Sequence, residues 1–265
     1  MYSTFTIIKK YLQYQLTSLN GKGHGIHSPF VFDFVKKVLN NRKTIECAKE
    51  IESRRQFLLK RKEIIEVEDF GAGSSIIKKN KRSIHRIAAT SLKPKKYAQI
   101  IHRIVAYYKP IHIIEIGTSF GITTSYIAKA NPLGKVNTFE GSASIANIAK
   151  TNFSKLQVNN VTLHQGEFSR TLPDVLNELE GIDFAFIDGN HQKNSTLQYF
   201  ELLLLKSSNN TFFIFDDIHW SAGMESAWSE IKKHPQVQLT IDLFFIGLVF
   251  LKKELKEEQH FTIRF

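Results

Sequence analysis

The stretch IIEIGTSFGITTSYIA, residues 113–128, decides how this chain folds. Apolar residues enclose one acid, Glu115, and a turn bracketed by Gly117 and Gly121 then runs into an apolar helical pattern. Glycine tolerates positive φ and lets a ligand approach the backbone closely. The stretch therefore predicts a strand, a ligand-binding turn and a helix in succession.

The spacing of the two glycines indicates the kind of ligand. G-x-x-x-G is not the G-x-G-x-x-G of a dinucleotide pyrophosphate site. Glu140 ends the next predicted strand, KVNTFE (135–140), where an acid grips ribose hydroxyls in sheets of this type. The pattern favours a ligand that has a ribose and lacks a pyrophosphate.

A second glycine-rich stretch, VEDFGAGSS (67–75), competes for the same role. The preceding residues, RKEIIEVED, are dense in charge and predict no strand, and the following IIKKNKR predicts no apolar helix. We expect KKNKR (78–82) to be an exposed loop. The strand–turn–helix context therefore assigns the ligand turn to residues 117–121.

Strands and helices alternate from about residue 95 to the end of the chain. This alternation predicts an α/β domain over 95–265, with a parallel sheet covered on both faces and a closing hairpin, VQLTIDLF and GLVFLKK. Residues 1–94 are expected to form a basic helical extension or lid. Its first helix has Phe5, Ile8, Tyr11 and Leu12 at helical spacing, and Ser28 with Pro29 predicts the start of another.

Charge is unevenly distributed along the 265 residues. Residues 1–110 hold 23 Lys and Arg against 8 Asp and Glu, whereas the rest is slightly acidic, and the net charge is +11. This asymmetry indicates either an anionic acceptor or partner, or a solvated helical surface.

Cysteine usage and hydropathy bound the class of protein. The single cysteine, Cys47, excludes an internal disulfide and a cysteine-only zinc site. The start has no signal-peptide pattern, and the apolar run 244–251 is far shorter than the roughly 20 residues of a membrane helix. We expect a soluble, cytoplasmic protein with no membrane insertion.

Two predicted strands end in acid and histidine. AFIDGNH (185–191) contains Asp188 and His191, and FFIFDDIH (212–219) contains Asp216, Asp217 and His219. Neighbouring strands about 4.8 Å apart would bring the carboxylates together, where they repel one another unless a cation such as Mg²⁺ or Mn²⁺ binds. Without a metal, His191 is the expected base and Asp188 its orienting partner. The structural alternative is that Asp188 and Asp217 cap the following helices.

Taken in order, IEIGTSFG, TFE, HQGEF, FIDGNH and FIFDD resemble the class I S-adenosylmethionine-dependent methyltransferases. Within that class the chain is similar to the catechol-type O-methyltransferases and their bacterial relatives. The resemblance covers residues 95–265 and implies a Rossmann-like seven-stranded sheet of order 3-2-1-4-5-7-6 with strand 7 antiparallel. It also implies S-adenosylmethionine as cofactor.

The resemblance assigns cofactor contacts by position. The amino-acid end would be held by Glu115 and the turn Gly117, Thr118, Ser119 and Gly121, the ribose by Glu140 with Gly141, and the adenine side by Glu167 and Phe168. Asp188 would lie at the mouth of strand 4, beside the cofactor.

The resemblance also assigns the catalytic and metal positions. Asp188, Asp216 and Asp217 take the places of the family's metal ligands, with Asp217 replacing an asparagine. His191 stands where the family has a lysine base. GHGIHSPF (23–30) resembles a stretch of some bacterial methyltransferases and would form part of a lid, with His24 and His27 either contacting substrate or solvated.

The leading hypothesis is O-methylation of a hydroxyl on a small molecule or glycan. A nucleic-acid methyltransferase is disfavoured because IDGNH stands where base-methylating enzymes carry Asn/Asp-Pro-Pro-aromatic. A non-catalytic cofactor-binding module and a nicotinamide-dependent oxidoreductase are two further hypotheses. The sequence does not identify the acceptor, and a homodimer through the N-terminal helices stays open. Trp220 is expected either to wall the substrate pocket or to pack in the interior. Trp228 is expected to pack.

Overall fold

The computed structural model describes residues 1–69, 78–255 and 257–265, with no side-chain description for residues 69, 78 and 79. The described chain divides into two compact units. One unit comprises residues 1–42 and 181–265, and the other comprises residues 43–180. The predicted boundary at residue 94 stays a prediction.

The described part of the unit of residues 43–180 contains six helices and five strands. The helices are α3 (Ala48–Lys60), α4 (Ile84–Ser91), α5 (Lys95–Tyr108), α6 (Ile122–Ala130), α7 (Ala143–Lys155) and α8 (Phe168–Glu178). The strands are β1 (Ile64–Asp69), β2 (Lys78–Ser83), β3 (His112–Ile116), β4 (Lys135–Glu140) and β5 (Val161–Gln165). β3, β4 and β5 pair in parallel, with buried β3 residues as expected for a covered sheet.

The other unit combines the start and the end of the chain. Its helices are α1 (Thr4–Thr17), α2 (Pro29–Phe34), continued by a π-helical turn (Val35–Leu39), α9 (Lys193–Leu204) and α10 (Ala222–Lys232). Its strands are β6 (Ile182–Ile187), β7 (Ser207–Asp216), β8 (Leu239–Asp242), β9 (Ile246–Phe250) and β10 (Gln259–Thr262). Phenylalanines fill its core, and the rings of Phe184 and Phe212 stack with centroids 4.6 Å apart.

The main sheet has the order β10-β8-β9-β7-β6-β3-β4-β5. Because the predicted strands 1 to 7 are β3 to β9, the expected order 3-2-1-4-5-7-6 is confirmed, and β9 runs antiparallel to β7 as expected. The count of seven strands is wrong, since β10 adds an eighth strand parallel to β8.

The segments on either side of residues 70–77 differ from two sequence-based expectations. Residues Ile64–Asp69 and Lys78–Ser83 are the antiparallel strands β1 and β2, not a strand-free segment and a loop. Glu66 lies in register with Lys81, so an acidic strand pairs with a basic one and opposite charges offset the poor strand propensity. Residues 70–77 lie outside the described part of the chain.

Helix α1 forms as expected, and three of the four apolar residues that indicated it are mostly exposed. Phe5, Ile8 and Leu12 are 78%, 52% and 58% exposed. The buried face instead carries Tyr14, and the ring of Tyr11 contacts Phe244. Periodicity identified the helix correctly but not the side that packs.

The second predicted helix start is confirmed in position. Pro29 is the first residue of α2 and Ser28 is its N-cap residue, although the Ser28 side chain makes no cap hydrogen bond. None of the described helices is both long and apolar enough to cross a membrane.

Gly247 packs so closely against Trp228 that a larger residue there should destabilise the protein. An alanine Cβ at Gly247 in β9 would lie 2.6 Å from Cη2 of the buried Trp228. We expect Gly247→Ala to lower the free energy of unfolding by about 1–3 kcal/mol, because the indole ring must shift within a packed core. Urea unfolding measures this change.

Gly181→Ala is the matched control, since its Cβ would meet only Lys206 O at 3.5 Å, an ordinary contact. A loss of stability equal in the two variants would contradict the explanation by overpacking.

Candidate functional site

The turn between β3 and α6 is held against β4 by backbone hydrogen bonds. The amides of Gly117 and Thr118 both donate to the carbonyl of Phe139, at 3.1 and 2.9 Å. Gly121 caps α6 with φ of +74°, and a Cβ there would lie 2.4 Å from the Phe153 ring. Both the dihedral angle and the close ring require glycine at position 121.

Glu115 lies inside the unit rather than on its surface. It is fully buried, and the hydroxyls of Thr124 and Thr138 donate to its Oε2 at 2.5 and 2.6 Å. Since Thr138 gives its proton to Glu115, Thr118 donates to Thr138 in turn, at 2.6 Å. Among the described residues, no hydrogen-bond partner lies at Glu115 Oε1. Burial raises the pKa of Glu115 to about 7, against the lowering effect of the two hydroxyls.

Glu140 joins the turn to the start of α7. Its Oε2 accepts the Ser119 amide and its Oε1 accepts the Ser142 amide, both at 2.9 Å. Burial raises its pKa to about 7, although these amides and that of Gly141 favour the ionised form. Each carboxylate oxygen can still accept a further hydrogen bond.

The end of β5 lies beside the end of β4. The amide of Gly166 donates to the carbonyl of Glu140 at 3.0 Å, and Glu167 then caps α8, whose first residue is Phe168. The expected cofactor residues of this unit therefore lie at or just after the carboxyl ends of three adjacent parallel strands, β3, β4 and β5.

A separate polar group lies in the other unit, at the carboxyl ends of β6 and β7. Asp188, His191 and Asp216 each offer a ligand atom, and these atoms lie within 4.8 Å of one another. His191 Nε2 is 3.5 Å from Asp188 Oδ1, and Asp216 is almost fully buried. Two carboxylates and one imidazole at this spacing fit a divalent cation with mixed oxygen and nitrogen ligands.

The loops that carry this group have uncommon backbone angles. Asn190 and His191 after β6, and Asp217 after β7, have φ of +66°, +26° and +53°. The Asn190 side chain donates to Ser195 and Tyr199, which fixes its loop to α9. Such angles cluster at functional sites in proteins, because the surrounding structure must hold them.

Asp217 and His219 are not members of the cation-type group found in the described chain. The Asp217 amide donates to the Phe245 carbonyl at 2.7 Å. His219 lies between Asp242 and Glu225, at 2.8 and 3.1 Å. Burial lowers the His219 pKa, but these two carboxylates outweigh it and the net shift is upward.

Glu225 also connects α1 to this histidine. It accepts the Tyr2 hydroxyl at 2.8 Å and the Lys10 ammonium at 2.9 Å. His219 therefore has a role in holding α1, which the sequence did not indicate.

The predicted capping roles of the two aspartates are wrong. Helix α9 begins at Lys193 with Gln192 as its cap residue, five positions after β6 ends. Helix α10 begins at Ala222, and its cap is the Ser221 hydroxyl, which accepts the Met224 amide at 3.2 Å. Neither Asp188 nor Asp217 therefore caps a following helix.

The remaining predicted residues have simple surroundings. His24 and His27 are exposed in the loop before α2, and the metal-type group of the described residues does not include them. Trp228 is buried packing, as expected. Trp220 is half-buried, and its carbonyl accepts the Tyr2 amide at 3.0 Å.

The buried acid predicts a pH-dependent stability. Because the Glu115 pKa rises from 4.5 to about 7 on folding, the stability present below pH 4.5 is lost as the pH rises through about 7. We expect the decrease in the free energy of unfolding between pH 4.5 and 8 to be about 3 kcal/mol smaller in Glu115→Gln than in wild type. Denaturant unfolding from pH 4.5 to 8 measures it.

Glu178→Gln, at an exposed position in α8, is the control and should follow the wild-type curve. If the Glu115→Gln curve also runs parallel to wild type, Glu115 does not titrate as its burial implies.

Part of the chain matches a known protein family. Residues 114–218 match the model of a methyltransferase domain family. No curated protein matches the chain.

Solved structures share the fold at low sequence identity. An O-methyltransferase from Bacillus cereus, in complex with S-adenosylhomocysteine, is 22% identical with a TM-score of 0.57, over 83% of this chain and 97% of its own. TomG from Streptomyces achromogenes, an O-methyltransferase of tomaymycin synthesis solved with S-adenosylmethionine, is 18% identical with a TM-score of 0.54, over 82% and 94%. PaMTH1 from Podospora anserina is 13% identical with a TM-score of 0.57, over 94% and 97%.

These structures share the fold of this chain, and the matched family covers residues from β3 to just after β7. Residues 114–218 therefore match a methyltransferase domain, and the chain has the fold of these solved O-methyltransferases.

Proposed function

We propose that the protein transfers a methyl group from S-adenosylmethionine to a hydroxyl of a small molecule or glycan. The observation that carries the proposal is the Glu140 carboxylate, fixed by the Ser119 and Ser142 amides beside the glycine turn. A carboxylate held in this way is oriented before a ligand arrives, and its remaining lone pairs suit two adjacent ribose hydroxyls.

The glycine turn supplies the other half of the cofactor assignment. Thr118 and Ser119 follow β3, and Ser119 has φ of +49°, so the backbone of this turn is set by the fold and not by a ligand. Glu115 supports the turn from inside through Thr138 and Thr118. We assign the amino-acid end of the cofactor to this turn, and the adenine side to Glu167 and Phe168.

Methyl transfer to oxygen requires a deprotonated acceptor. A hydroxyl is a weak nucleophile until its proton leaves, whereas the methyl group of the cofactor is already activated. We assign proton removal to His191, with Asp188 at 3.5 Å orienting its ring. The positive φ of His191 supports this role, because strained backbone angles of this kind cluster at functional sites.

A divalent cation is an alternative means of activating the same hydroxyl. Asp188, His191 and Asp216 would hold it, and the mixed oxygen and nitrogen donors suit Mn²⁺ better than Mg²⁺, which prefers oxygen alone. When bound, such an ion would lower the pKa of the acceptor hydroxyl. We leave out Asp217, the third ligand that the sequence predicted, because the group of the described residues has His191 instead.

Two expectations about partners remain proposals. Cations concentrated in residues 1–110 favour an acceptor with an anionic group. A homodimer through the N-terminal helices is favoured by the exposed apolar face of α1, which includes Phe5 and Leu16.

Cofactor binding tests the proposal. We expect S-adenosylhomocysteine to bind the wild type with micromolar Kd and Glu140→Ala about 100-fold more weakly, because two hydrogen bonds to a charged acceptor are lost. Isothermal titration calorimetry measures both constants. Glu178→Ala should bind within twofold of wild type, and failure of the wild type to bind would refute the proposed cofactor.

Metal binding tests the group formed by Asp188, His191 and Asp216. We expect Mn²⁺ at about 100 times its Kd to raise the melting temperature by about 5 °C or more, since a ligand that binds only the folded state stabilises it. Asp188→Asn and Asp216→Asn should abolish the shift, measured by differential scanning fluorimetry.

Asp217→Asn is the matched control, because Asp217 is not a member of the group of Asp188, His191 and Asp216. We expect it to retain the shift. A shift that persists in all three variants would show that Mn²⁺ binds elsewhere.

A further inference from the structure

The β1–β2 hairpin contacts the start of α7 through Glu68. The Glu68 carboxylate accepts the Ala143 amide at 3.1 Å, and the Glu68 amide approaches the Ser142 hydroxyl at 3.4 Å. Ala143 is the first residue of α7 and Ser142 its cap residue. Both the side chain and the backbone amide of Glu68 therefore bind the start of α7.

This contact replaces the usual cap of α7. A serine at the cap position normally accepts an amide of its own helix, but the Ser142 hydroxyl makes no such bond. Glu68 satisfies a free amide of the helix from outside it. A carboxylate at the amino end of a helix is also favoured by the helix dipole.

Glu68 and Glu140 hold successive amides of the same turn. Glu140 Oε1 accepts the Ser142 amide at 2.9 Å, one residue before the amide that Glu68 accepts. Ser142 is 1% exposed, so its position depends on these protein contacts and not on solvent. A shift at the start of α7 would therefore move a donor that orients Glu140.

We propose that Glu68 is a positioning residue for the cofactor, which orients Glu140 toward the ribose by fixing Ser142 and the first amide of α7. This inference rests on the proposed role of Glu140 in binding S-adenosylmethionine. It gives the hairpin, which the resemblance to methyltransferases did not explain, a function in nucleoside affinity.

The first experiment tests whether the contact forms in the ligand-free protein. Hydrogen–deuterium exchange of the peptide that contains residues 142–146 should be at least about fivefold faster in Glu68→Ala than in wild type, since a cap contact of ordinary strength is lost. Glu178→Gln, an exposed position in α8 of the same unit, should exchange as wild type. Unchanged exchange in Glu68→Ala would overturn the inference without any reference to the cofactor.

The second experiment measures S-adenosylhomocysteine binding by calorimetry. Glu68→Ala should weaken binding about fivefold, the effect of losing a typical cap. Glu68→Gln should restore most of the affinity, because the amide oxygen still accepts the Ala143 amide. Glu178→Gln should bind as wild type, and thermal unfolding should show all variants folded.

A double variant distinguishes positioning from an independent effect. If Glu68 acts through Glu140, adding Glu68→Ala to Glu140→Gln should weaken binding less than twofold further. A full fivefold further loss would overturn the inference while leaving the proposed function intact. Wild-type protein that does not bind at all would overturn the proposed function, and this inference with it.

Discussion

The carboxylate of Glu140 is the constraint on which the turn after β3 and the start of α7 depend. Burial makes its charge costly, and backbone amides of Ser119, Gly141 and Ser142 offset that cost. The same amides fix the turn after β3 and the start of α7. One half-buried acid therefore sets the relative positions of two loops and a helix, and any ligand that binds there meets a preformed surface.

The second polar group depends on a different kind of constraint. β6 and β7 are parallel neighbours packed with phenylalanine, and they hold Asp188 and Asp216 at their ends. The loops beyond them contain residues at positive φ, including His191 and Asp217. A stiff apolar sheet with strained loop residues is typical of sites whose geometry must not relax.

The sequence predicted the alternating elements and the sheet order because strand ends, glycine turns and apolar periods are local signals. It missed β1 and β2, since pairs such as Glu66 with Lys81 stabilise strands only across the hairpin. It missed β10, whose four residues alternate half-buried and exposed without an apolar run. It identified α1 but not the face that packs, because period alone does not say which side meets the core.

The acids of the site were predicted from their places at strand ends, but their supports were not. Thr124 and Thr138 lie 9 and 23 residues from Glu115, so nothing in the spacing indicates that they share one carboxylate. His191 belongs to the polar group and Asp217 does not, although both come just after strand ends. Both loops contain residues at positive φ, and a one-dimensional pattern does not encode these angles.

The hairpin also makes this part of the protein sensitive to salt. Its pairing sets an acidic strand, which includes Glu66 and Glu68, against a basic strand. Dissolved ions screen exposed charges over about 10 Å at 0.1 M ionic strength, so the attraction between these strands weakens as salt is added. Because Glu68 also accepts the first amide of α7, ionic strength acts on the same helix end that holds Glu140.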